Sequence, residues 1–386
     1  MNPIYANMPT SVFEEISLLA RSAGAINLGQ GFPDDPGPED VRQSAADAVM
    51  SGPNQYPPMM GMDVLRGAVA DHYGRFQGLE LAPADVMVTS GATEALAAAL
   101  LALIAPGDEV LLIQPMYDAY LPLVLRVGGT ARFVSIRPPD WRLPIAEIAA
   151  AIGDRTRFLV LNNPLNPTGR MFDRDEMAAL AELCVRHDLI AICDEVWEHV
   201  LFDGRAHIPL IAMPGMRERT VKIGSAGKIF SLTGWKVGFV MAAPALLAPI
   251  AKAHQFLTFT TPPNLQQAVA YGLAKEDGYF HAMRAGYQRS RDRLAERLSA
   301  GGYVVLPGEA TWFLCVDLRA SGIALDDRDF CLRAVREAGV ATIPLSAFYV
   351  EDRLETVVRL CFTKADGVID EAAERLIAFR RRLIAG

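Results

Sequence analysis

The sequence predicts an α/β protein: a mostly parallel sheet covered by helices on both faces, followed by a second, smaller α/β unit. Three observations carry this. Short apolar runs alternate with helical stretches from about residue 85 to 245. The runs are continuous rather than alternating, as in strands buried on both faces. After Pro262-Pro263 the pattern changes to one long helical stretch and then a few short strands.

Taken in order, Val86–Thr89 reads as a strand and Thr93–Ile104 as an Ala/Leu-rich helix closed by Pro106-Gly107. Glu109–Ile113 is a strand, with a helix near Tyr117–Val127 and a strand at Ala131–Ile136. Arg157–Leu161 and Leu189–Cys193 are strands flanking a helix at Arg174–His187, and Thr220–Ile223 and Val237–Met241 complete the series. Helices separating parallel strands must cover the faces of the sheet. Ligands then bind at the carboxyl ends of the strands. Gln266–Ser299 reads as helix, interrupted near Asp277-Gly278. Strands follow at Tyr303–Val305, Trp312–Val316 and Val357–Cys361, with helices at Asp327–Ala338 and Asp370–Ile384. The first 40 residues cannot complete a domain and are expected to pack on the small unit or on a subunit interface.

Composition excludes several functions. The chain has 386 residues, 51% hydrophobic and 21% charged, with a net charge of 37 − 45 = −8. That is a globular composition, and the acidic balance argues against nonspecific nucleic-acid binding. The longest apolar run, Ala95 to Ala105, is 11 residues, short of the roughly 20 a membrane helix needs. MNPIYANMPT has no basic residue and no apolar core, so no export signal is expected. Five cysteines without a CxxC pair suit a reducing compartment, and six histidines show no zinc spacing. The expectation is a cytoplasmic protein without a metal.

Candidate chemistry sits at predicted strand ends. Only six lysines stand against 31 arginines, and two of them lie in Ser225-Ala-Gly-Lys228-Ile-Phe-Ser-Leu-Thr-Gly-Trp-Lys236. A lone lysine is usually a solvated charge, but Lys228 follows a strand after a Ser-Ala-Gly turn. A desolvated lysine near another cation can form a Schiff base with an aldehyde. Asp194 ends a strand; it could be a helix N-cap or the partner of a buried cation such as a protonated pyridine nitrogen. Asn162 and Asn166, in Asn162-Asn-Pro-Leu-Asn166-Pro-Thr-Gly-Arg170, lie in a stiff polar loop where two amides could converge on one ligand. Ser90-Gly91-Ala92-Thr93 joins a strand to a helix; it is a simple cap or a place where free N–H groups meet a phosphate. Arg359 interrupts an apolar strand and is either exposed or a bidentate carboxylate grip. Gly29-Gln-Gly31 lacks the rest of a dinucleotide fingerprint.

Together SGATEAL, NNPLNPTGR, CDEVW, SAGKIFSLTGWKVG and RLCF resemble the class I/II aminotransferases of pyridoxal-phosphate fold type I. INLGQGFPD and TIPLSAFY are similar to the branch holding kynurenine, glutamine and methionine aminotransferases and cysteine-conjugate β-lyases. The resemblance implies a large domain (46–285) with a seven-stranded, mostly parallel sheet, a small domain (286–386) and an N-terminal segment (1–45). It implies pyridoxal 5′-phosphate, with Lys228 bonded to it and moving the proton between Cα and C4′. It further implies Asp194 on the ring nitrogen, Asn166 on O3′ and Tyr117 stacked on the ring, with Asn162 close to the cofactor. Gly91, Ala92, Thr93, Ser225 and Lys236 would hold the phosphate, joined by Tyr56 from the other subunit of a homodimer. Arg359, Asn166 and the backbone around Gly31 would hold the substrate carboxylate. Trp197 stands where the family usually has a tyrosine, and an indole has no phenolic pKa. The implied reaction is transamination between an amino acid and a 2-oxo acid. β-Elimination on the same residues and a non-catalytic regulator are the alternatives. Phe13, Phe32, Phe259 and Phe348, beside the motifs, are either ordinary core or pocket walls that suggest an apolar or aromatic substrate, and the resemblance adds a sulfur-containing one.

Overall fold

The computed structural model describes residues 3–6, 8 and 10–385; the reading of the first ten residues as free of a leader falls partly outside them. After a two-residue strand β1 (Ile26–Asn27), seven strands build the central sheet. They are β2 (Val86–Thr89), β3 (Glu109–Gln114), β4 (Thr130–Ser135), β5 (Thr156–Asn162), β6 (Ile190–Asp194), β7 (Thr220–Ser225) and β8 (Gly238–Met241). The spatial order is β2-β8-β7-β6-β5-β3-β4. Only β8 runs antiparallel to its neighbours. β2, β3, β7 and β8 are buried at every residue, as continuous apolar runs require.

Helix Ala92–Leu103 buries Ala95, Leu96, Ala98, Ala99 and Leu100. Its alanines let the helix axis approach the sheet closely and aim its N-terminus at the strand ends. Five helices of seven or more residues were not legible as such: Val12–Ala23, Glu39–Ser51, Asp63–Gln77, Ile145–Ala151 and Pro244–Leu257. Gly67 and Gly74 lie inside one and Pro249 inside another, residues that lower helix propensity and are overridden by packing. The single long helical stretch is two helices, Pro263–Leu273 and Asp277–Ala300.

The smaller unit contains β9 (Val304–Val305), β10 (Phe313–Asp317), β11 (Val340–Ala341), β12 (Ile343–Pro344) and β13 (Val357–Cys361). Four of them form an antiparallel sheet in the order β12-β13-β10-β9. β11 instead pairs in parallel with β1, Ile26 opposite Val340, so the N-terminal segment is tied to this unit. Among the described residues no helix is long and apolar enough to cross a membrane.

Candidate active site

The carboxyl ends of β2, β3, β5, β6 and β7 point the same way and surround a cavity of about 220 Å³. Gly91, Ala92, Thr93, Tyr117, Asn162, Asn166, Asp194, Trp197, Ser225, Lys228 and Lys236 all line it. Arg359, Gly31 and Tyr56 do not, and each is placed differently. Arg359 joins the cavity through Asn166. Gly31 lies on Phe313, whose Cζ would sit 2.9 Å from a Cβ at that position. Tyr56 is 82% exposed and packs edge-on against Phe259 at 5.5 Å.

One end of the cavity is shaped for an anion. Gly91 has φ +80° and no side chain caps the helix that follows, leaving the first N–H groups free. A Cβ on Gly91 would lie 3.1 Å from Lys236 Cε, and one on Gly238 would lie 2.6 Å from the Gly91 carbonyl carbon. Lys236 is itself left-handed at φ +56°. Two backbones therefore press together to bring helix N–H groups, a lysine and Ser225 to one point, the arrangement that binds phosphates.

At the other end Asp194 is buried, with Tyr120 donating to Oδ2 at 2.6 Å and Oδ1 left without a partner. Burial pushes its carboxyl up, and the Tyr120 hydroxyl, the Val196 N–H and Lys228 act against that. Asn162 is opposite Asp194 in the β5–β6 register. Its amide is spent on the backbone: Nδ2 donates to the Asp194 carbonyl and Oδ1 accepts from Asn166 N, both at 2.8 Å. It shapes the loop rather than converging with Asn166 on a ligand.

Lys228 lies between these ends. β7 runs two residues further than the sequence predicts, to Ser225, and Lys228 stands on the helical turn Ala226–Ile229. A Cβ on Gly227 would meet Thr233 Cα at 3.0 Å, so a larger residue there would push on the loop that closes over that turn. Burial draws the amine down to about 8; Asp194 and Cys361 oppose the shift, while Arg359 and Lys236 add to it.

Arg359 is 2% exposed. It donates to Asn166 Oδ1 at 2.8 Å and to the Gly29 carbonyl at 2.9 Å, and its Nε has no partner. Its guanidinium lies 3.9 Å from the centre of Phe313 and 5.1 and 5.3 Å from Phe348 and Phe13. Among the described residues no carboxylate forms an ion pair with it; burial lowers it to about 10, against the weaker pull of Cys361, Cys315 and Asp118. Phe32 and Phe259 lie elsewhere, 43% and 38% exposed. Tyr120, Trp312 and Phe313 were missed from sequence because each looks like an ordinary core aromatic.

These groups match the three functional parts of pyridoxal phosphate. A phosphate suits the uncapped helix end with Lys236, a cationic ring nitrogen suits the unpaired Asp194 oxygen, and an aldehyde suits a desolvated lysine. The residues present fit it. Glu195, Glu198 and His207 bring ligand atoms within 4.8 Å of one another, but the Lys222 ammonium sits on both carboxylates.

The family model for aminotransferase class I and II matches residues 23–376. The solved N-succinyldiaminopimelate aminotransferase from Mycobacterium tuberculosis is 42% identical with a TM-score of 0.94, covering 98% of this chain and 99% of that one. The methionine aminotransferase of Escherichia coli is 41% identical over 368 residues, 95% of each chain. Human kynurenine–oxoglutarate transaminase 1 is 34% identical over 397 residues, 94% of each. The chain belongs to the class I and II aminotransferases, fold type I enzymes that depend on pyridoxal phosphate and transfer an amino group between an amino acid and a 2-oxo acid.

Proposed function

We propose that the amino donor carries an apolar, aromatic or sulfur-containing side chain and that Arg359 takes the α-carboxylate of donor and acceptor alike. The state of Arg359 carries this reading: a buried guanidinium that forms no ion pair, and whose Nε finds no partner, among the described residues. A substrate carboxylate would supply the anion that such a cation lacks. The Phe13, Phe313 and Phe348 rings around it favour an apolar side chain over a second carboxylate. Relatives named for methionine and kynurenine are in keeping with that choice; another is named for N-succinyldiaminopimelate.

When bound, the pyridoxal ring supplies an aldehyde carbon to take the amino group and an electron sink for the charge left at Cα. Lys228, whose amine burial draws down to about 8, would serve as the base that takes the substrate Cα proton and gives it back. Asp194 holds the ring nitrogen. Asn166 spends Oδ1 on Arg359, which leaves Nδ2 to donate toward O3′ or the carboxylate. Tyr117 and Trp197 wall the ring, and the amides at Ala92 and Thr93, with Gly91, Ser225 and Lys236, hold the phosphate. Gly31 offers its backbone beside the carboxylate.

The same reading makes the enzyme a homodimer with shared sites. Met50, Tyr56 and Phe256 are 87%, 82% and 85% exposed, apolar surface of the kind that interfaces cover. It divides the chain into segment 1–45, cofactor domain 46–285 and small domain 286–386, and places it in the cytoplasm, where five unpaired buried cysteines stay reduced. A screen of amino donors against several 2-oxo acids tests substrate choice. Borohydride reduction of the loaded enzyme followed by peptide mapping tests Lys228; label on Lys222 or Lys236 would sink the assignment. A donor with a β leaving group tests elimination by release of ammonia.

A further inference from the structure

Lys228 Nζ makes neither a hydrogen bond nor an ion pair among the described residues; its close partners are two indoles. The nitrogen lies 4.7 Å from the centre of the Trp197 ring and 5.0 Å from that of Trp312. The two rings meet edge to face, 4.8 Å apart with planes at 80°. Both are buried, at 3% and 0% exposure. Neighbours fix them in turn: Phe313 packs on Trp197 at 5.4 Å and Tyr287 on Trp312 at 5.9 Å.

We propose that Trp197 and Trp312 form an aromatic seat for the Lys228 amine, two indoles that together stabilise its ammonium form without offering it a base. An indole face attracts a cation more strongly than a phenyl or phenol face, and more so in a desolvated site. The choice of group matters for a lysine that must both take and return a proton. A carboxylate in contact would bind the ammonium and compete for its proton. An indole face stabilises the charge and has no lone pair for the proton. The charged and titratable groups facing the same amine are Asp194 from β6, Arg359 and Cys361 from β13, and Lys236. Asp194 already accepts from Tyr120, and Arg359 and Lys236 repel the ammonium. Burial is the main influence drawing the proton off, Asp194 and Cys361 oppose it, and the indoles act on the same side as those two.

The seat concerns this chain's own residues, and it rests on the role of Lys228 proposed above only for its consequence in catalysis. The test uses the full-length, cofactor-free protein with lysine labelled with carbon-13 at Cε. There are six lysines, and the Lys228 signal is assigned by its loss in Lys228→Ala. All four tryptophans are then replaced biosynthetically by mono- and difluorinated analogues, which drain the face of electron density and keep its shape. The apparent pKa of Lys228 should fall stepwise with fluorine number, by roughly 0.3–1 unit in total, a two- to tenfold weaker hold on the proton. Lys222, seated on Tyr73 and not on a tryptophan, should not move. Trp197→Phe and Trp312→Phe should each lower the value. A Lys228 value that is indifferent to fluorination, or rises, would overturn the seat, and a fall with one Phe variant alone would overturn its two-ring form. Labelling of a different lysine by borohydride would defeat the catalytic role and leave the seat standing. The converse result would defeat the seat and leave the role.

Discussion

Tyr120 donates its hydroxyl to Asp194 Oδ2 at 2.6 Å and leaves Oδ1 as the one free oxygen of a buried carboxylate. The bond fixes the carboxylate's orientation and favours its ionised form, which burial opposes. Tyr120→Phe should therefore raise the Asp194 pKa and weaken its hold on a cationic ring nitrogen. A hydrogen bond to a charged group is worth about 1.5–3 kcal/mol, so cofactor affinity should fall roughly 10- to 150-fold. The acidic limb of the rate profile should move to higher pH. Absorbance titration of the cofactor-free enzyme with pyridoxal phosphate checks the first; an unchanged affinity would reduce Tyr120 to a packing role.

Lys222 is fully buried and pairs with Glu195 and Glu198, while the Tyr73 hydroxyl and Gln77 Nε2 also donate to Glu198. Glu195 directly follows Asp194, so this network anchors the segment that carries both Asp194 and Trp197. Lys222→Met should cost roughly 3–5 kcal/mol, because it strands two buried carboxylates. The pH dependence has a definite sign. Burial works to raise Glu195, and Lys222 with His207 overrides it and draws the carboxyl from 4.5 to about 2. A lowered folded-state pKa stabilises the protein above about 4.5, and that contribution is lost as pH falls toward 2. Without Lys222 the lowering is reduced and burial counts for more, so acidification should narrow the gap between variant and wild type. Denaturant unfolding at pH 7 and at about pH 3, inside that window, would show it, and an equal gap at both would contradict the network's charge pairing.

The parts of the site on strand ends were legible because the strands are: a buried apolar run that stops at Asp194 or Asn162 marks where a sheet presents polar groups. What lay beyond depended on contacts between distant segments. β7 continues to Ser225 because Gly224 and Ser225 pair with Phe239 and Gly238, whereas the apolar run in the sequence stops at Ile223. Asn162 looks like half of a convergent amide pair, yet its amide closes the loop instead. Trp312 and Phe313 lie about 85 residues from Lys228 and 46 from Arg359 in sequence, and only the folded chain sets one beside each. Tyr56 has no visible purpose within one chain.

Arg359→Lys should separate charge from geometry. A guanidinium offers two parallel N–H groups to a carboxylate, and an ammonium offers a point charge. The Asn166 and Gly29 bonds hold the fork in one orientation, and a lysine has no second nitrogen to keep them while a pair of parallel N–H groups faces a substrate. Losing a buried carboxylate contact costs about 2–5 kcal/mol, roughly 30- to 5,000-fold in kcat/KM. Cofactor loading should be unchanged, because Arg359 does not line the cofactor cavity. Half-reaction rates within threefold of wild type would show that the carboxylate is held elsewhere.

Tyr56 supplies the test of shared sites. It stands 82% exposed, outside the cavity of its own chain, with its ring against Phe259. If it completes the site of the other subunit, a site draws Lys228 from one chain and Tyr56 from its partner. Lys228→Ala and Tyr56→Ala enzymes should each be impaired as homodimers. In a mixed dimer one site then carries both lesions and the other carries neither. Equal mixing with random exchange makes half the dimers hybrid, each with one intact site of two, so about a quarter of wild-type activity should return. The recovered activity should scale with the fraction of hybrid, measured by mass or by differential tags. Full exchange without rescue would mean that each chain builds its site alone, and the exposed ring of Tyr56 would then serve the interface only.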